Sequence, residues 1–334
     1  FLLSLSAGTT IVLSSYHWLL AWIGLEINTL AMIPVLTKTS HPRATEAATK
    51  YFLTQAAASA VILFSSLINA WQMGEWNINS MTDFPINTLS IAIMMKLGLA
   101  PLHFWMPEAL QGVPLLTGLI LSTWQKIAPM ILLLQISHLV NLNLMIMIGL
   151  LSILISGWGG IGQTQLRKIL AFSSIGHLGW MIIVLKLNPQ LSLFNFSLYI
   201  IMTSSMFLSL MAISATKMTE ISISWPKTPA LTMSVMLILL SLAGLPPLTG
   251  FAPKLLISLE LVKQDMMLIA LISMLTSLLA LFFYLRLMYI FSLILPPNTS
   301  FSSYTWRTSN KNSSPIAIMN TLSLTMLPLS PTLL

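Results

Sequence analysis

The sequence predicts an all-α polytopic membrane protein, and three observations support that fold class. Of the 334 residues, 56% are hydrophobic and 7% are charged, whereas an ordinary soluble domain is about 25% charged. So few charges cannot cover a surface that faces water. The apolar residues form long runs, of the roughly 20 residues that a helix needs to cross a bilayer. Two of these runs contain the same proline-interrupted motif.

Hydropathy divides the chain into about eleven transmembrane helices. The first run is short, and neither a basic stretch before it nor a cleavage site after it indicates a signal peptide. We therefore expect it to be the remainder of a truncated span. The ninth run, 229–262, is long enough for two half-helices. The polar loop 295–314 is too short to form a folded domain with a core of its own. The predicted spans are 1–14, 16–36, 45–70, 88–108, 113–137, 142–162, 165–187, 192–215, 229–262, 265–294 and 315–334.

The basic residues lie mainly on one side of these spans. Three of the 15 lysines and arginines fall inside spans, and only Lys186 and Lys263 lie on the second face. Loops rich in lysine and arginine stay on the side from which a chain inserts. This bias predicts the N-terminus on the positive side and the C-terminus opposite. The ten residues of the positive side are Lys38, Arg43, Lys50, Arg167, Lys168, Lys217, Lys227, Arg286, Arg307 and Lys311.

One motif occurs twice at a constant offset. The sequence GLAPL at 98–102, followed by Pro107, returns as GLPPL at 244–248, followed by Pro253. Proline removes a helix donor and clashes one turn back, so both helices are predicted to break. An odd number of crossings separates the two broken spans, so they run in opposite directions. This arrangement predicts two inverted five-helix repeats, 1–137 and 138–294, with one C-terminal helix appended.

Four ionisable residues lie well inside apolar runs: Glu26, Lys96, Lys126 and Lys254. A charge at the centre of a membrane helix costs about 2.5–3.5 kcal/mol on insertion scales, so each needs a partner or water. A structural ion pair, for instance between Glu26 and Lys96, would explain one of them. The four together, two of them at broken helices, favour a proton relay. A desolvated lysine can titrate near neutrality, and an approaching carboxylate restores its charge.

Two histidines and one further carboxylate are additional candidates. His177 lies within the seventh span between small residues, and histidine titrates in the range that suits a proton shuttle. A hydrogen-bonded packing histidine is the alternative interpretation. His103 and Glu108 lie in and after the first helix break and are weaker candidates for the relay. Glu108 is either a group that faces the proton path or a cap of the half-helix.

Several other chemistries have no support in the sequence. The chain has no cysteine, which excludes disulfides, iron–sulfur clusters and cysteine nucleophiles within it. The glycine pattern at 157–162 connects two spans and follows no strand, so it predicts a tight turn rather than a nucleotide site. No metal-ligand spacing occurs, and no basic cluster fits nucleic acid. We therefore expect no cofactor on this chain, so its transport either runs downhill or is driven by a partner.

Five segments resemble the NADH dehydrogenase subunit 2 family, the mitochondrially encoded, antiporter-like membrane subunits of respiratory complex I. The resemblance runs along nearly the whole chain up to residue 295, in the expected order. The segments are HPRATEAATKYFLTQAAAS at 41–59, KLGLAPLHFWMPE at 96–108, LSTWQKIAP at 121–129, QTQLRKILAFSSIGHLGW at 163–180 and SLAGLPPLTGFAPK at 241–254.

This resemblance implies a proton-pumping, multi-pass subunit of the mitochondrial inner membrane, with its N-terminus in the matrix. The family's conserved carboxylate maps onto Glu26, and its two broken-helix lysines map onto Lys96 and Lys254. Its central lysine maps onto Lys126, and His177 falls on its central hydrophilic axis. The resemblance also implies other membrane-arm subunits and phospholipids as partners, with NADH, FMN, iron–sulfur clusters and ubiquinone bound elsewhere in the complex.

Two other functions remain open from the residues themselves. A cation/proton antiporter subunit would exchange ions without the complex. A non-pumping membrane scaffold would only pair its buried charges. Replacing Lys126 by methionine separates the scaffold from the pump, because a scaffold would keep its function if assembly were intact.

Overall fold

A computed structural model describes residues 1–224, 228–293 and 314–329. Within these ranges the chain is helical and has no β-strand. Its elements are α1 (Leu2–Ser14), α2 (Trp18–Leu36), α3 (Pro42–Met73), α4 (Asp83–Leu97), α5 (Trp105–Gly112), α6 (Leu115–Ser122), α7 (Trp124–Gln135), α8 (Leu142–Ile161), α9 (Leu166–Leu185), α10 (Pro189–Ile213), α11 (Met218–Ser224), α12 (Pro229–Ala243), α13 (Phe251–Lys263), α14 (Met267–Leu293), α15 (Ser314–Thr325) and a final 3-10 turn (Leu327–Leu329).

The length and composition of these helices confirm the prediction of an all-α membrane protein. Among the described ranges, seven helical segments are long and apolar enough to cross a bilayer, if α6 and α7 are taken as one segment. The shorter helices α1 and α12 are also apolar. The seven segments are α2, α3, α6–α7, α8, α9, α10 and α14.

Three details differ from the sequence-based prediction. The short helix α11 lies in a segment predicted as a loop. The predicted span 113–137 is interrupted at Thr123. The last helix, α15, ends at Thr325, before the predicted end of its span at 334. Most of the predicted polar loop 295–314, together with 330–334, lies outside the described residues.

The glycine-rich segment 157–162 is not a tight turn, as predicted, because α8 continues through it to Ile161. Its glycines make room for side chains of neighbouring helices. A Cβ atom on Gly157 would meet Leu279 Cβ at 2.7 Å, and one on Gly160 would meet Phe283 Cδ1 at 2.7 Å. Small residues of this kind let membrane helices approach closely, so packing rather than chain reversal explains the pattern.

Helix α9 lies at the centre of the molecule. It packs against α8, α10, α5 and α13, and nearly all of its side chains are buried. Its closest approach is to α8, where a Cβ atom on Gly179 would meet the carbonyl oxygen of Gly149 at 2.9 Å. Because α9 carries His177, this packing places the histidine in the protein interior.

The two proline motifs form two helix breaks with the same local geometry. Gly98 ends α4 with φ +80°, and Gly244 ends α12 with φ +83°. The Gly98 N–H donates to Met94 O at 3.0 Å, and the Gly244 N–H donates to Leu240 O at 3.2 Å. A left-handed glycine after the last helical residue is a common way to end a helix. The predicted break of both helices is confirmed at this level.

A third interruption separates α6 from α7. The Lys126 N–H donates to Thr123 O at 3.2 Å rather than to Ser122 O, which would be its partner in a continuous α-helix. Pro129 follows within α7, and its ring crowds the backbone one turn earlier. The Ser122 carbonyl is therefore free for a side-chain donor from another helix.

Candidate functional site

Lys96 lies in the last turn of α4 and faces a narrow buried cavity, here called the Lys96 cavity. The side chain is 5% exposed, and its ammonium nitrogen has no hydrogen-bond partner among the described residues. The volume open to the centre of a water molecule is about 10 Å³, close to the smallest space that holds one water. The lining residues are Leu25, Asn28, Thr29, Tyr51, Gln55, Lys96, Trp105, Gln125 and Pro129.

Glu26 lies near this cavity without forming an ion pair with Lys96. It interacts electrostatically with Lys96 and with Tyr51, but in the described part of the chain the salt bridges within 4.0 Å involve Lys50 and Lys263. The Glu26 Oε2 atom is buried and has no hydrogen-bond partner there. The carboxylate can therefore influence the charge of Lys96 without a direct contact that would fix it.

Gln125 connects this cavity to two other helices, α2 and α3. Its amide nitrogen donates to Asn28 O at 3.0 Å and to the Tyr51 hydroxyl at 2.6 Å. Gln125 is the residue before Lys126, and the interruption between α6 and α7 lies directly before both. Gln125 lines the Lys96 cavity, whereas Lys126 bonds to a residue of α10. The consecutive residues Gln125 and Lys126 thus connect the Lys96 cavity with the buried polar groups around Tyr199.

Lys126 is held by Tyr199 of α10. The Lys126 ammonium donates to the Tyr199 hydroxyl at 3.0 Å, and it lies 5.1 Å from the centre of the Tyr199 ring. The same hydroxyl donates to Ser122 O at 2.8 Å. Tyr199 therefore binds the buried lysine and also satisfies the carbonyl that the interruption before α7 leaves free. Lys126 is 2% exposed, so this contact replaces solvent for a buried cation.

His177 lies next to Tyr199. The two ring centres are 5.9 Å apart. His177 interacts electrostatically with both Lys126 and Lys254. The histidine thus lies between the central lysine and the second helix break.

His177 and Lys254 line one enclosed space, here called the His177–Lys254 cavity. About 20 Å³ of it is open to the centre of a water molecule, which is enough for one water. The cavity has a mixed lining of hydroxyls, charged groups and aromatic rings. Its residues are Ile153, Ser156, Phe172, Ser173, Gly176, His177, Trp180, Leu242, Lys254, Ser277, Ala280, Phe283 and Tyr284.

Lys254 bonds to the end of the preceding half-helix. Its ammonium donates to Ala243 O at 2.6 Å, and Ala243 is the last residue of α12. The carbonyl end of a helix favours a positive charge. A Cβ atom on Gly244 would meet the Lys254 nitrogen at 2.9 Å. The glycine therefore provides both the backbone conformation of the break and the space for the ammonium group.

His103 and Glu108 lie away from the two cavities. Glu108 is in the first turn of α5 and forms an ion pair with Lys50 at 2.6 Å, with 47% of its side chain exposed. His103 is buried in the first break, and its ring centre lies 6.3 Å from that of Phe172. Of the sequence-predicted candidates, Glu26, Lys96, Lys126, His177 and Lys254 thus lie at or beside the buried polar clusters.

Sequence reasoning missed the tyrosines and the glutamine that connect these residues. Tyr51, Gln125, Tyr199 and Tyr284 have no distinguishing spacing, and a tyrosine in an apolar helix usually predicts core packing. The signal that could have indicated Tyr199 is indirect. Pro129 predicts a disturbed helix near Lys126, and a disturbed helix leaves a carbonyl that needs a donor.

Comparisons with known proteins give a consistent result. Residues 15–280 match the family model described as NADH:quinone oxidoreductase/Mrp antiporter, TM, and residues 281–334 match that of NADH dehydrogenase subunit 2 C-terminus. NADH-ubiquinone oxidoreductase chain 2 of Aquarana catesbeiana is 73% identical over 100% of this chain and 97% of its own length. The protein of that name from Xenopus laevis is 57% identical over 99% of this chain and 96% of its own length.

Two solved structures share the fold. A chain of respiratory complex I from Thermus thermophilus with bound aureothin aligns with a TM-score of 0.86 and 25% identity, over 99% of this chain and 78% of that one. A chain of the Mrp complex from Dietzia sp. aligns with a TM-score of 0.85 and 16% identity, over 98% and 74%. The second likeness concerns the fold alone.

Proposed function

Because this chain belongs to the NADH-ubiquinone oxidoreductase chain 2 family of antiporter-like membrane subunits, we propose that it is a proton-translocating core subunit of respiratory complex I. It is a subunit of an oxidoreductase complex, in which electrons pass from NADH to ubiquinone. Its own part is to relay protons along a buried axis of glutamate, lysine and histidine side chains. NADH, FMN, iron–sulfur clusters and ubiquinone bind to other subunits, and this chain binds no cofactor.

The observation that carries this proposal is the succession of buried polar groups between the two helix breaks. Lys96 lines the Lys96 cavity with Glu26 near it, and Lys254 lines the His177–Lys254 cavity. Lys126 and His177 lie between them, and both are neighbours of Tyr199. Ionisable groups are rare inside membrane helices and mark ion pathways when they face the interior together.

Lys96 is the switch in this mechanism. Its ammonium has no fixed hydrogen bond among the described residues, so its charge depends on the approach of Glu26. When Glu26 is near, Lys96 holds a proton, and when Glu26 recedes the proton leaves the ammonium nitrogen for the next acceptor. Lys126 takes it up, and the Tyr199 hydroxyl and His177 connect Lys126 to Lys254. These groups titrate as a set, so the proton affinity of each depends on the charges of the others.

Water completes the relay across the gaps that side chains do not span. Glu26 Oε2, Lys96 Nζ and Gln125 Oε1 are buried, and no protein group in the described residues satisfies them. The Oδ1 and Nδ2 atoms of Asn28 are also buried without a hydrogen-bond partner among these residues. Buried polar atoms without a partner are costly, and ordered water normally satisfies them. Their grouping around the Lys96 cavity supports a hydrated path.

The membrane topology is that of two inverted repeats. Residues 1–137 and 138–294 each supply five spans, one of them broken, and α15 belongs to an eleventh span. The shared geometry of the two breaks supports this arrangement, because Gly98 and Gly244 end their helices in the same way. The chain lies in the mitochondrial inner membrane with its N-terminus in the matrix and its C-terminus at the intermembrane space. Its neighbours are other membrane-arm subunits, including antiporter-like ones, and phospholipids.

Replacing Lys126 by methionine in the assembled complex tests the proposal. Methionine has a similar length and cannot carry a proton, so we expect the proton pumping rate to fall by at least about tenfold, as the loss of a positioned acid–base group does. The measurement is proton uptake into sealed vesicles during NADH oxidation, with assembly verified on native gels. The matched control is Lys263→Met, which removes an exposed lysine and should leave pumping unchanged.

The other outcomes identify the rival functions. Undiminished pumping by an assembled Lys126→Met complex would contradict the relay and indicate a scaffold. The shared fold with the Mrp complex favours antiport as the second candidate. In that case the isolated chain in vesicles would exchange protons for a cation, whereas a complex I subunit alone should show no exchange.

A further inference from the structure

A groove on the protein surface lies close to the His177–Lys254 cavity. This outer groove runs between α5, α8 and the start of α9, and offers about 430 Å³ to the centres of water molecules. Its polar residues include Gln163 and Lys168, which belong to the positive side of the chain. The lining residues used below are His103, Phe104, Glu108, Gln163, Lys168 and Phe172.

Phe172 lines both spaces. Its side chain is 8% exposed. Ser173, the next residue of α9, and Gly176, one turn later, line the His177–Lys254 cavity together with His177. This cavity is called the inner cavity below. The outer groove and the cavity that contains His177 therefore share one lining side chain, the ring of Phe172.

The glycine-rich end of α8 provides the space for this ring. A Cβ atom on Gly159 would meet Phe172 Cζ at 2.8 Å, so a larger residue there would displace the ring. The neighbouring Gly160 makes the same room for Phe283, where a Cβ atom would meet Cε1 at 2.9 Å. Phe283 lines only the inner cavity. Within the glycine pattern at 157–162, Gly159 and Gly160 thus leave the space that the Phe172 and Phe283 rings occupy at the end of α8.

His103 is the group of the groove best suited to accept a proton. Its Nδ1 atom lies 3.3 Å from Pro101 O. A carbonyl oxygen can only accept, so Nδ1 carries the hydrogen and Nε2 keeps a lone pair. Glu108 is already paired with Lys50, and Lys168 has no lone pair when it is charged. Nε2 of His103 is therefore the open acceptor in the outer groove.

We propose that the outer groove is the site at which water and protons enter this chain, with His103 as the first acceptor and the Phe172 ring closing the way to His177. A proton passes from a hydronium ion to His103 Nε2 and leaves a water molecule. When the ring moves aside, the proton leaves Nε2 and reaches His177 through water. This inference rests on the proposed relay function, because it names the entry to the same axis.

Thiol labelling tests the route directly, because the chain contains no cysteine of its own. Ser277→Cys places a thiol in the inner cavity from α14. In the assembled complex we measure its reaction with a small charged methanethiosulfonate by mass spectrometry of this subunit. A closed ring opens in a minor state populated at about 0.1–10%. Adding Phe172→Ala should therefore speed labelling at least about tenfold, and only from the face that carries Lys168.

Two matched controls separate the route from loosened packing. Phe283→Ala removes a ring of the inner cavity alone, and Phe104→Ala removes an exposed ring of the groove alone. Neither should change the labelling rate. An unchanged rate in Phe172→Ala would overturn the inference, as would an equal increase in Phe283→Ala. Phe172→Leu replaces the alanine variant if that variant does not assemble.

The labelling result does not depend on pumping, so it can fail or succeed separately from the Lys126→Met experiment. His103→Gln tests the acceptor, since glutamine keeps hydrogen bonding but takes up no proton. We expect this variant to pump more slowly while Ser277→Cys labelling keeps its rate. Unchanged pumping would remove His103 from the route.

Discussion

The first break, between α4 and α5, and the second break, between α12 and α13, have almost the same backbone. Each begins at a glycine, with φ +80° at Gly98 and +83° at Gly244. Their lysines lie on opposite sides of the glycine, because Lys96 precedes the first break and Lys254 follows the second. The carbonyls at the end of α4 are satisfied by neutral donors, which are Trp105 Nε1 at 3.2 Å and Gln55 Nε2 at 3.4 Å.

At the second break the lysine itself provides the donor. Lys254 bonds to Ala243 O at 2.6 Å, so its charge is stabilised by the helix end. Lys96 has no such bond among the described residues, and its nearest electrostatic partner is Glu26. One backbone motif therefore yields two kinds of site. The cation at the second break is bound by the protein backbone, and the cation at the first break interacts with a carboxylate that makes no ion pair with it.

Alanine at the two break glycines should destabilise the second break more than the first. Gly244→Ala adds a left-handed alanine, which costs about 1–2 kcal/mol, and forces a Cβ atom against Lys254, which costs about 1–3 kcal/mol more. A Cβ atom on Gly98 would meet Trp105 Cζ2, its nearest neighbour, at 3.2 Å. The steric cost of Gly98→Ala is therefore smaller. Limited proteolysis of this subunit within the complex measures the difference.

Gly74→Ala is the matched control for that series. Gly74 has φ +72°, and its added Cβ atom would meet nothing within 4 Å. It therefore reports the backbone cost alone. Equal losses of stability in Gly74→Ala and Gly244→Ala would mean that Lys254 does not need the space beside Gly244. The comparison of the two breaks would then lose its structural basis.

Methionine at the two lysines should separate stability from pumping. Both variants lose a group of the proposed relay, so both should pump poorly. Lys254→Met also leaves Ala243 O without a donor, and a buried unsatisfied acceptor costs about 1–3 kcal/mol. Lys96→Met breaks no hydrogen bond of the described structure. We expect the Lys254→Met subunit to be less stable than Lys96→Met by that amount, by the same proteolysis assay. Equal stabilities would contradict the assigned role of the Lys254 contact.

The sequence predicts the breaks and the buried charges because both are local signals. Glycine and proline alter the backbone where they stand, and an ionisable residue in an apolar run is visible by composition. The contacts between distant segments are not local. Tyr199 reaches Lys126 from 73 residues away along the chain, and no residue near Tyr199 indicates that contact. Glu108 likewise forms its ion pair with Lys50 of α3, a distant contact that places it away from the buried clusters.

A double-mutant cycle on stability sharpens the assignment of Glu26 to the first break. Interacting residues couple by about 0.5–3 kcal/mol, whereas distant ones add within about 0.5 kcal/mol. Glu26→Gln and Lys96→Met should therefore be coupled, because removing either charge removes the same electrostatic interaction. Glu26→Gln and Lys254→Met should be additive. Coupling in the second cycle and not in the first would reverse the assignment.

The smallest expected effect concerns the neutral donors of the first break. Gln55→Met keeps the volume of the side chain and removes the bond to Lys96 O, which at 3.4 Å is a long hydrogen bond. Such a bond contributes about 0.5–1.5 kcal/mol, so proteolysis should accelerate only slightly. Gln264→Met, at the exposed end of α13, is the control. Pumping should persist in Gln55→Met, because a neutral donor to the helix end carries no proton of the relay. If pumping stopped while the subunit stayed assembled, Gln55 would belong to the relay, and the first break would use its donors in the same way as the second.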